Sequence, residues 1–204
     1  DYGAQLLVFP EYFTIQLLCL DNNQESPGSA LMSRLAEHHE YVANLLGSLA
    51  KKYSLYIVGG STPKHVSDKI NNVAIFASVD GKTYLQGKVY MTRFEDEEWG
   101  FHASEGVRVF DTDIGKILIS ICYDVEFPEL VRIGANLGAE ILIVPSWTDT
   151  ARGFYRVRHC AHARAIENQM YVLHSPLVGS LPQYPFAMLN YGSAAVLSPC
   201  DIYM

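Results

Sequence analysis

No apolar run in this chain approaches the roughly 18 residues that a membrane-spanning helix needs, so membrane insertion is not expected. Basic residues are few and scattered: 15 Lys and Arg stand against 22 Asp and Glu, a formal net charge of −7. A nucleic-acid groove needs clustered cations, so no nucleic-acid partner is expected. There is no internal repeat, no low-complexity linker and no visible signal peptide. Only four cysteines occur, Cys19, Cys122, Cys160 and Cys200. Their spacing makes neither a CxxC metal knuckle nor a small disulfide framework. Reduced thiols and a cytoplasmic protein are the expectation, with at most one cysteine in a special role.

Apolar residues make up 49% of the 204 residues, which excludes a disordered chain and suffices for one domain with a sizeable core. Strand-like and helix-like segments alternate. QLLVF (5–9) reads as a buried strand. A long helix is predicted over 26–53, opening with Ser and Pro, with Leu31, Leu35, Val42, Leu45 and Leu49 roughly on one face. LYIVGGS (55–61) reads as a strand closed by its glycines. Two hairpins are predicted, 71–88 turning at Asp80-Gly81 and 107–124 turning near Gly115. Helices at 126–139 and 153–169 and strands at 140–145, 170–176 and 192–199 complete the pattern. Helical and hairpin connections are mixed, which predicts mixed sheets covered by helices. The chain opens in mid-pattern at DYGAQLLVF and stops just after a strand at CDIYM. One domain over 1–204, incomplete at both ends, is the expectation.

Three strand ends carry chemistry-bearing residues. VFPEYF delivers Glu11 behind an apolar run, where loss of water raises a carboxyl's pKa and makes it a better base. Gly87 lets the chain turn, and Lys88 follows as a fixed positive charge suited to an oxyanion. KILISICYDVEFPEL (116–130) runs an apolar strand into Cys122 just before a helix, where a nucleophilic thiol is well placed. Singly, each has an ordinary reading: a wet glutamate, a solvated lysine, a buried structural cysteine. The acidic run 95–98 alone reads as a solvated face. Cys122 lacks the flanking glycines of a nucleophile elbow. Of seven histidines, only His174 ends an obvious strand, so a Cys–His pair is open but unsupported.

Taken together and in order, VFPEYF, GKVYMTRFE and ISICYDVEFPEL resemble the carbon–nitrogen hydrolase, or nitrilase, superfamily, and the likeness extends through ILIVPSWT and RHCAHARAIENQMYV. The resemblance implies a four-layer α-β-β-α sandwich. It also implies a triad of Glu11 as general base, Lys88 as electrostatic stabiliser and Cys122 as nucleophile. Many members use a second glutamate after the lysine; Glu95 matches best, with Glu97 and Glu98 as alternatives. The backbone N–H of Tyr123 would share the oxyanion with Lys88, and Tyr123, Trp147 and Thr148 would line the substrate pocket. Tyr155 and Arg156 are weaker pocket candidates. True nitrilases tend to carry Trp-Glu after the cysteine; Tyr123-Asp124 is closer to the amidase and carbamoylase branches. His174 stands where such proteins usually have a small or amide residue.

The implied reaction cleaves the C–N bond of a small amide or N-carbamoyl compound through a thioester, releasing ammonia, with no metal and no cofactor. His159 and His162 lie at i, i+3 on a helix, but Arg158 and Arg164 flank them and packing is the better reading. A homodimer or higher homo-oligomer is expected, with the broadly apolar helix 126–139 facing a partner. The alternatives are nitrile hydrolysis by the same triad, a Cys122–His174 thiol hydrolase or glutaminase, and a non-catalytic scaffold.

Overall fold

A computed structural model describes residues 3–20 and 26–200. Asp1, Tyr2 and Asp201–Met204, on which the expectation of incomplete ends partly bears, lie outside these residues. The chain forms two mixed sheets. The first has the order β1 (Leu6–Val8), β2 (Tyr56–Val66), β3 (Lys69–Ala77), β4 (Thr83–Gly87), with β1 parallel to β2 and the other pairs antiparallel. The second has the order β5 (Val109–Phe110), β6 (Ile117–Ile119), β7 (Ile141–Ser146), β8 (Tyr171–Pro176), β9 (Ala195–Leu197). Its three central strands are parallel and its two edge strands antiparallel.

Strand periodicity explains how the layers stack. In β2 and β3, Tyr56, Val58, Ala74 and Phe76 point to the second sheet and join its buried residues. Ile57, Ile75 and Ala77 point the other way, where Val42, Ala43, Leu46 and Ala50 cover them. The register Val58↔Phe76 and Ile57↔Ala77 keeps each set on its own face. Phe76 stacks on Phe110 of the second sheet at 4.5 Å between ring centroids. Strand β6 and most of β7 are apolar and buried, because α4 (Pro128–Asn136) and α5 (Ala151–Asn168) cover their other face. The result is the expected α-β-β-α sandwich.

Three local expectations are corrected. The helix expected over 26–53 is two, α1 (Gly28–Glu37) and α2 (His39–Tyr53), interrupted at His38, whose N–H bonds the carbonyl of Leu35. The interruption resets the buried stripe, so Leu46 is inside and Leu45 is exposed. Gly59 and Gly60 do not close a strand: β2 continues to Val66 and turns directly into β3. The glycines instead mark a register shift between Val58 and Ser61. Gly60 has φ +52°, and a Cβ there would stand 1.8 Å from the carbonyl oxygen of Pro10. Gly87 has no positive φ; it is small because a Cβ would stand 1.9 Å from the Ser104 hydroxyl.

Candidate active site

Each site residue is delivered by a different element at one end of the two sheets. The turn after β1 lies over the β2 irregularity, with Ser61 N–H donating to the Pro10 carbonyl at 3.3 Å and Tyr12 N–H to Ser61 Oγ at 3.3 Å. This fixes Glu11 between the sheets. Lys88 directly follows β4, with its N–H donating to the Asn72 carbonyl at 2.8 Å and its own carbonyl accepting from Ser104 N–H at 2.8 Å. Glu95 lies in the five-residue helix α3 (Arg93–Glu97), where Thr92 and Glu95 form a reciprocal capping box. That box folds the Glu95 carboxylate back toward the chain rather than into water. Cys122 opens a short 3₁₀ turn, Cys122–Glu126, three residues after β6 ends. Its φ of +48° is unusual for a residue with a side chain, and such strain tends to persist where function over-determines it.

These elements bring Glu11, Lys88, Glu95 and Cys122 into one buried cluster, each at most 5% exposed. Lys88 Nζ donates to Glu11 Oε1 at 2.8 Å and to Glu95 Oε2 at 2.6 Å. Asn72 Nδ2 also bridges the two carboxylates, reaching Glu11 Oε1 and Glu95 Oε1 at 2.9 Å each. Trp147 N–H donates to Glu11 Oε2 at 2.9 Å. Tyr12 OH donates to Glu95 Oε1 at 2.9 Å, and Thr92 supplies its N–H at 3.0 Å and its hydroxyl at 2.9 Å to Oε2. The Cys122 thiol donates to the Trp147 carbonyl at 3.7 Å, and Glu11 is near enough for its charge to act on the thiol.

The environments of the two carboxylates differ in sign. Burial pushes Glu11 up; Lys88 opposes this, the Glu95 charge adds to it, and the net direction is up. Burial also acts on Glu95, but the Lys88 charge and the bonds from Lys88, Thr92 and Asn72 prevail, and the net direction is down. Burial lowers Lys88, yet the Glu11 and Glu95 charges override it and hold the ammonium well above its ordinary range. Burial, with the Glu11 charge behind it, holds the Cys122 thiol well above its ordinary value. Two carboxyls driven apart beside one ammonium and one protonated thiol provide a proton acceptor and a fixed anion.

The cluster floors a cavity of about 470 Å³, which Tyr123, Trp147 and Thr148 also line. The Thr148 hydroxyl is spent on the Tyr191 carbonyl at 2.9 Å. Arg156 lines the cavity; Tyr155 does not, and stacks on His159 instead. Asp96, Glu97 and Glu98 are exposed, which separates them from Glu95. His174 lies within β8 rather than at its end, with Ser146 Oγ 2.7 Å from Nε2 and Arg158 Nε donating to Nδ1 at 2.9 Å. Both ring nitrogens are engaged away from the thiol. Among the described residues no group of three His, Cys, Asp or Glu is arranged to hold a metal ion, and no helix is long and apolar enough to cross a membrane.

Sequence reasoning missed Asn72, Tyr12, Thr92 and Asp124. Buried Asp124 accepts N–H bonds from Tyr90 (2.7 Å), Val89 (3.2 Å) and Ile121 (3.3 Å), tying the nucleophile turn to the lysine segment. Burial pushes its carboxyl up to about 7. Tyr12 and Asp124 sit inside quoted motifs and were findable. Thr92 carried a signal too, the T-x-x-E spacing to Glu95. Asn72 offered only the second of two adjacent amides, Asn71 and Asn72, at the start of an apolar run.

Comparison with known proteins identifies the family and the fold. The family model for carbon-nitrogen hydrolase matches residues 1–199. The probable hydrolase YhcX of Bacillus subtilis (strain 168) is 42% identical over 201 residues, covering 98% of this chain and 39% of that protein. The chain therefore spans well under half the length of that relative. Omega-amidase NIT2-B of Xenopus laevis is 30% identical over 209 residues, covering 97% of this chain and 70% of that one. In three dimensions the chain is similar to Saccharomyces cerevisiae Nit3, a member of branch 10 of the nitrilase superfamily, with a TM-score of 0.78 and 30% identity, covering 96% of this chain and 69% of that one.

Proposed function

The chain belongs to the carbon-nitrogen hydrolase family, and from that premise we propose that it hydrolyses a small amide or N-carbamoyl compound through a thioester on Cys122. The observation that carries this reading is the ammonium of Lys88 shared between a carboxyl pushed up and a carboxyl held down, beside a buried thiol. Because the thiol rests protonated, its proton leaves as the attack occurs, taken by Glu11. The sulfur bonds the carbonyl carbon and the carbonyl electron pair moves to oxygen. Lys88 has three N–H donors and spends two on the glutamates, leaving one for that oxyanion. The N–H of Tyr123, in the first turn of its short helix, has no acceptor within that helix and serves as the second donor. The C–N bond breaks as the leaving nitrogen takes the proton from Glu11, and ammonia departs. Water then loses a proton to Glu11, attacks the thioester and releases the acid, and the thiol is restored. Glu95 holds Lys88 and keeps the site's anionic balance throughout.

The relative's omega-amidase name supports the amide class over nitriles, and the engaged nitrogens of His174 weigh against a Cys–His pair. The same reading includes a homo-oligomer: Ile133 and Leu137 stand exposed at the α4 end while Leu130, Val131 and Gly134 pack inward. The test is ammonia release from aliphatic amides, N-carbamoyl compounds, ω-amides and nitriles, with Cys122→Ala as the blank. Turnover of an amide or carbamoyl compound, lost in Cys122→Ala and retained in His174→Gln, is expected. No turnover across the panel, or turnover surviving Cys122→Ala, overturns the reading.

A further inference from the structure

The outer wall of the same cavity carries an ion pair that the reaction above does not use. Arg156, on α5, donates from Nε to Glu126 Oε1 at 2.7 Å. The Glu126 side chain is 16% exposed and that of Arg156 59%. The guanidinium also lies 5.9 Å from the centroid of the Tyr123 ring. Among the described lining residues, Lys88 and Arg156 are the only cations. Lys88 is held by Glu11 and Glu95, and Arg156 by Glu126. Asp149 adds an exposed carboxylate at the rim, so lining carboxylates outnumber lining cations by four to two. Aromatic rings fill much of the remaining wall, Trp99, Trp147 and Tyr123 among them. Such faces attract an ammonium and offer nothing to a carboxylate.

A substrate tail ending in a carboxylate would meet a surplus of negative charge, with the charge of each cation already offset by a neighbouring carboxylate. An uncharged tail loses nothing, and an ammonium gains from the carboxylates and the ring faces. We propose that this cavity selects amides with an uncharged or cationic tail over isosteres with a carboxylate tail, and that Glu126 sets the selectivity by engaging Arg156. The proposal rests on the reading of the cavity as an amide-hydrolysing site and names the substrate class for it. Glu126 and Arg156 act here as specificity residues at the far end of the substrate, not on the reacting bond.

Three amides that share a CH2CH2CONH2 unit and differ in the end group test it: butanamide, 3-aminopropanamide and succinamate, compared by kcat/KM. The wild-type chain is expected to turn over succinamate about tenfold or more below butanamide, with 3-aminopropanamide equal to or above it. Glu126→Gln frees Arg156 and raises the succinamate-to-butanamide ratio about tenfold; Arg156→Gln exposes Glu126 and lowers it. A pair that merely braces the fold predicts shifts in the same direction, since either variant breaks it. A second arm needs no turnover: the rate of Cys122 alkylation by iodoacetate relative to iodoacetamide, read by mass spectrometry, rises in Glu126→Gln and falls in Arg156→Gln. Wild-type preference for succinamate over butanamide, or ratios that stay put or move together in the two variants, overturns the proposal while leaving amide hydrolysis standing. If no amide turns over, the hydrolase reading fails and the substrate class fails with it; the alkylation ratios then decide whether the charge selectivity of the cavity survives.

Discussion

Lys88 decides most at the scale of single residues. It is buried between two carboxylates, and removing one partner of a buried ion pair costs far more than the pair itself contributes. Lys88→Met should therefore abolish turnover and destabilise the fold by roughly 3–5 kcal/mol, read by urea unfolding. Glu95→Gln tests a subtler point. The Glu95 charge is one of the influences that raise Glu11. Removing it lets Glu11 stay ionised to lower pH, so the acid limb of the kcat/KM profile should move downward along with a loss of rate. An upward shift would contradict the assignment of Glu11 as base. Glu11, Lys88 and Cys122 were legible only as an ordered set at three strand ends, and Glu95 only through the family resemblance. Asn72 was not, since its importance depends on a strand meeting a loop 61 residues away and a helix 23 residues away.

At the scale of elements, the site depends on where backbone comes closest to backbone. Gly60 combines a left-handed φ with the Pro10 carbonyl where a side chain would stand. Gly60→Ala should displace the Glu11 turn, costing more than about 1 kcal/mol of stability and a larger share of kcat than of KM. Unchanged stability and kinetics would remove the β2 irregularity from the account. The sequence marked these glycines as significant but pointed to the wrong cause, because a strand end and a bulge share the same Gly-Gly signal. The helix over 26–53 misled for a similar reason. Its composition favours helix throughout, and only the register of buried residues betrays the interruption at His38. Parallel strands β6 and β7 were the easiest to read, being short, apolar and rich in β-branched residues.

For the whole molecule, layer order followed from the resemblance, while sheet order and register had to come from the structure. Composition alone could not say that β2 and β3 form one long hairpin covering the site. Stability of the whole also carries a pH signature. Burial, then the nearby Arg158 charge, pushes His174 down to about 3 from 6.5. Its Nδ1 accepts from Arg158, so Nε2 carries the proton of the neutral ring and donates to Ser146. The unfolded chain takes up a proton below pH 6.5 that the folded ring refuses until about 3. Stability should therefore fall as pH drops through that window, by roughly 2–3 kcal/mol between pH 7 and pH 4.5 from this group. Denaturant unfolding of wild type and His174→Gln at both pH values checks this: the variant should lack that part of the slope, and equal slopes would contradict it.

The central claim is that an acyl group passes through Cys122, and the most direct measurement is mass spectrometry of the intact chain quenched during amide turnover. An added acyl mass is expected on the peptide bearing Cys122, absent from Cys122→Ala and lost when substrate is exhausted. Steady hydrolysis at full rate with no adduct at that sulfur, or an adduct on another residue, would contradict it.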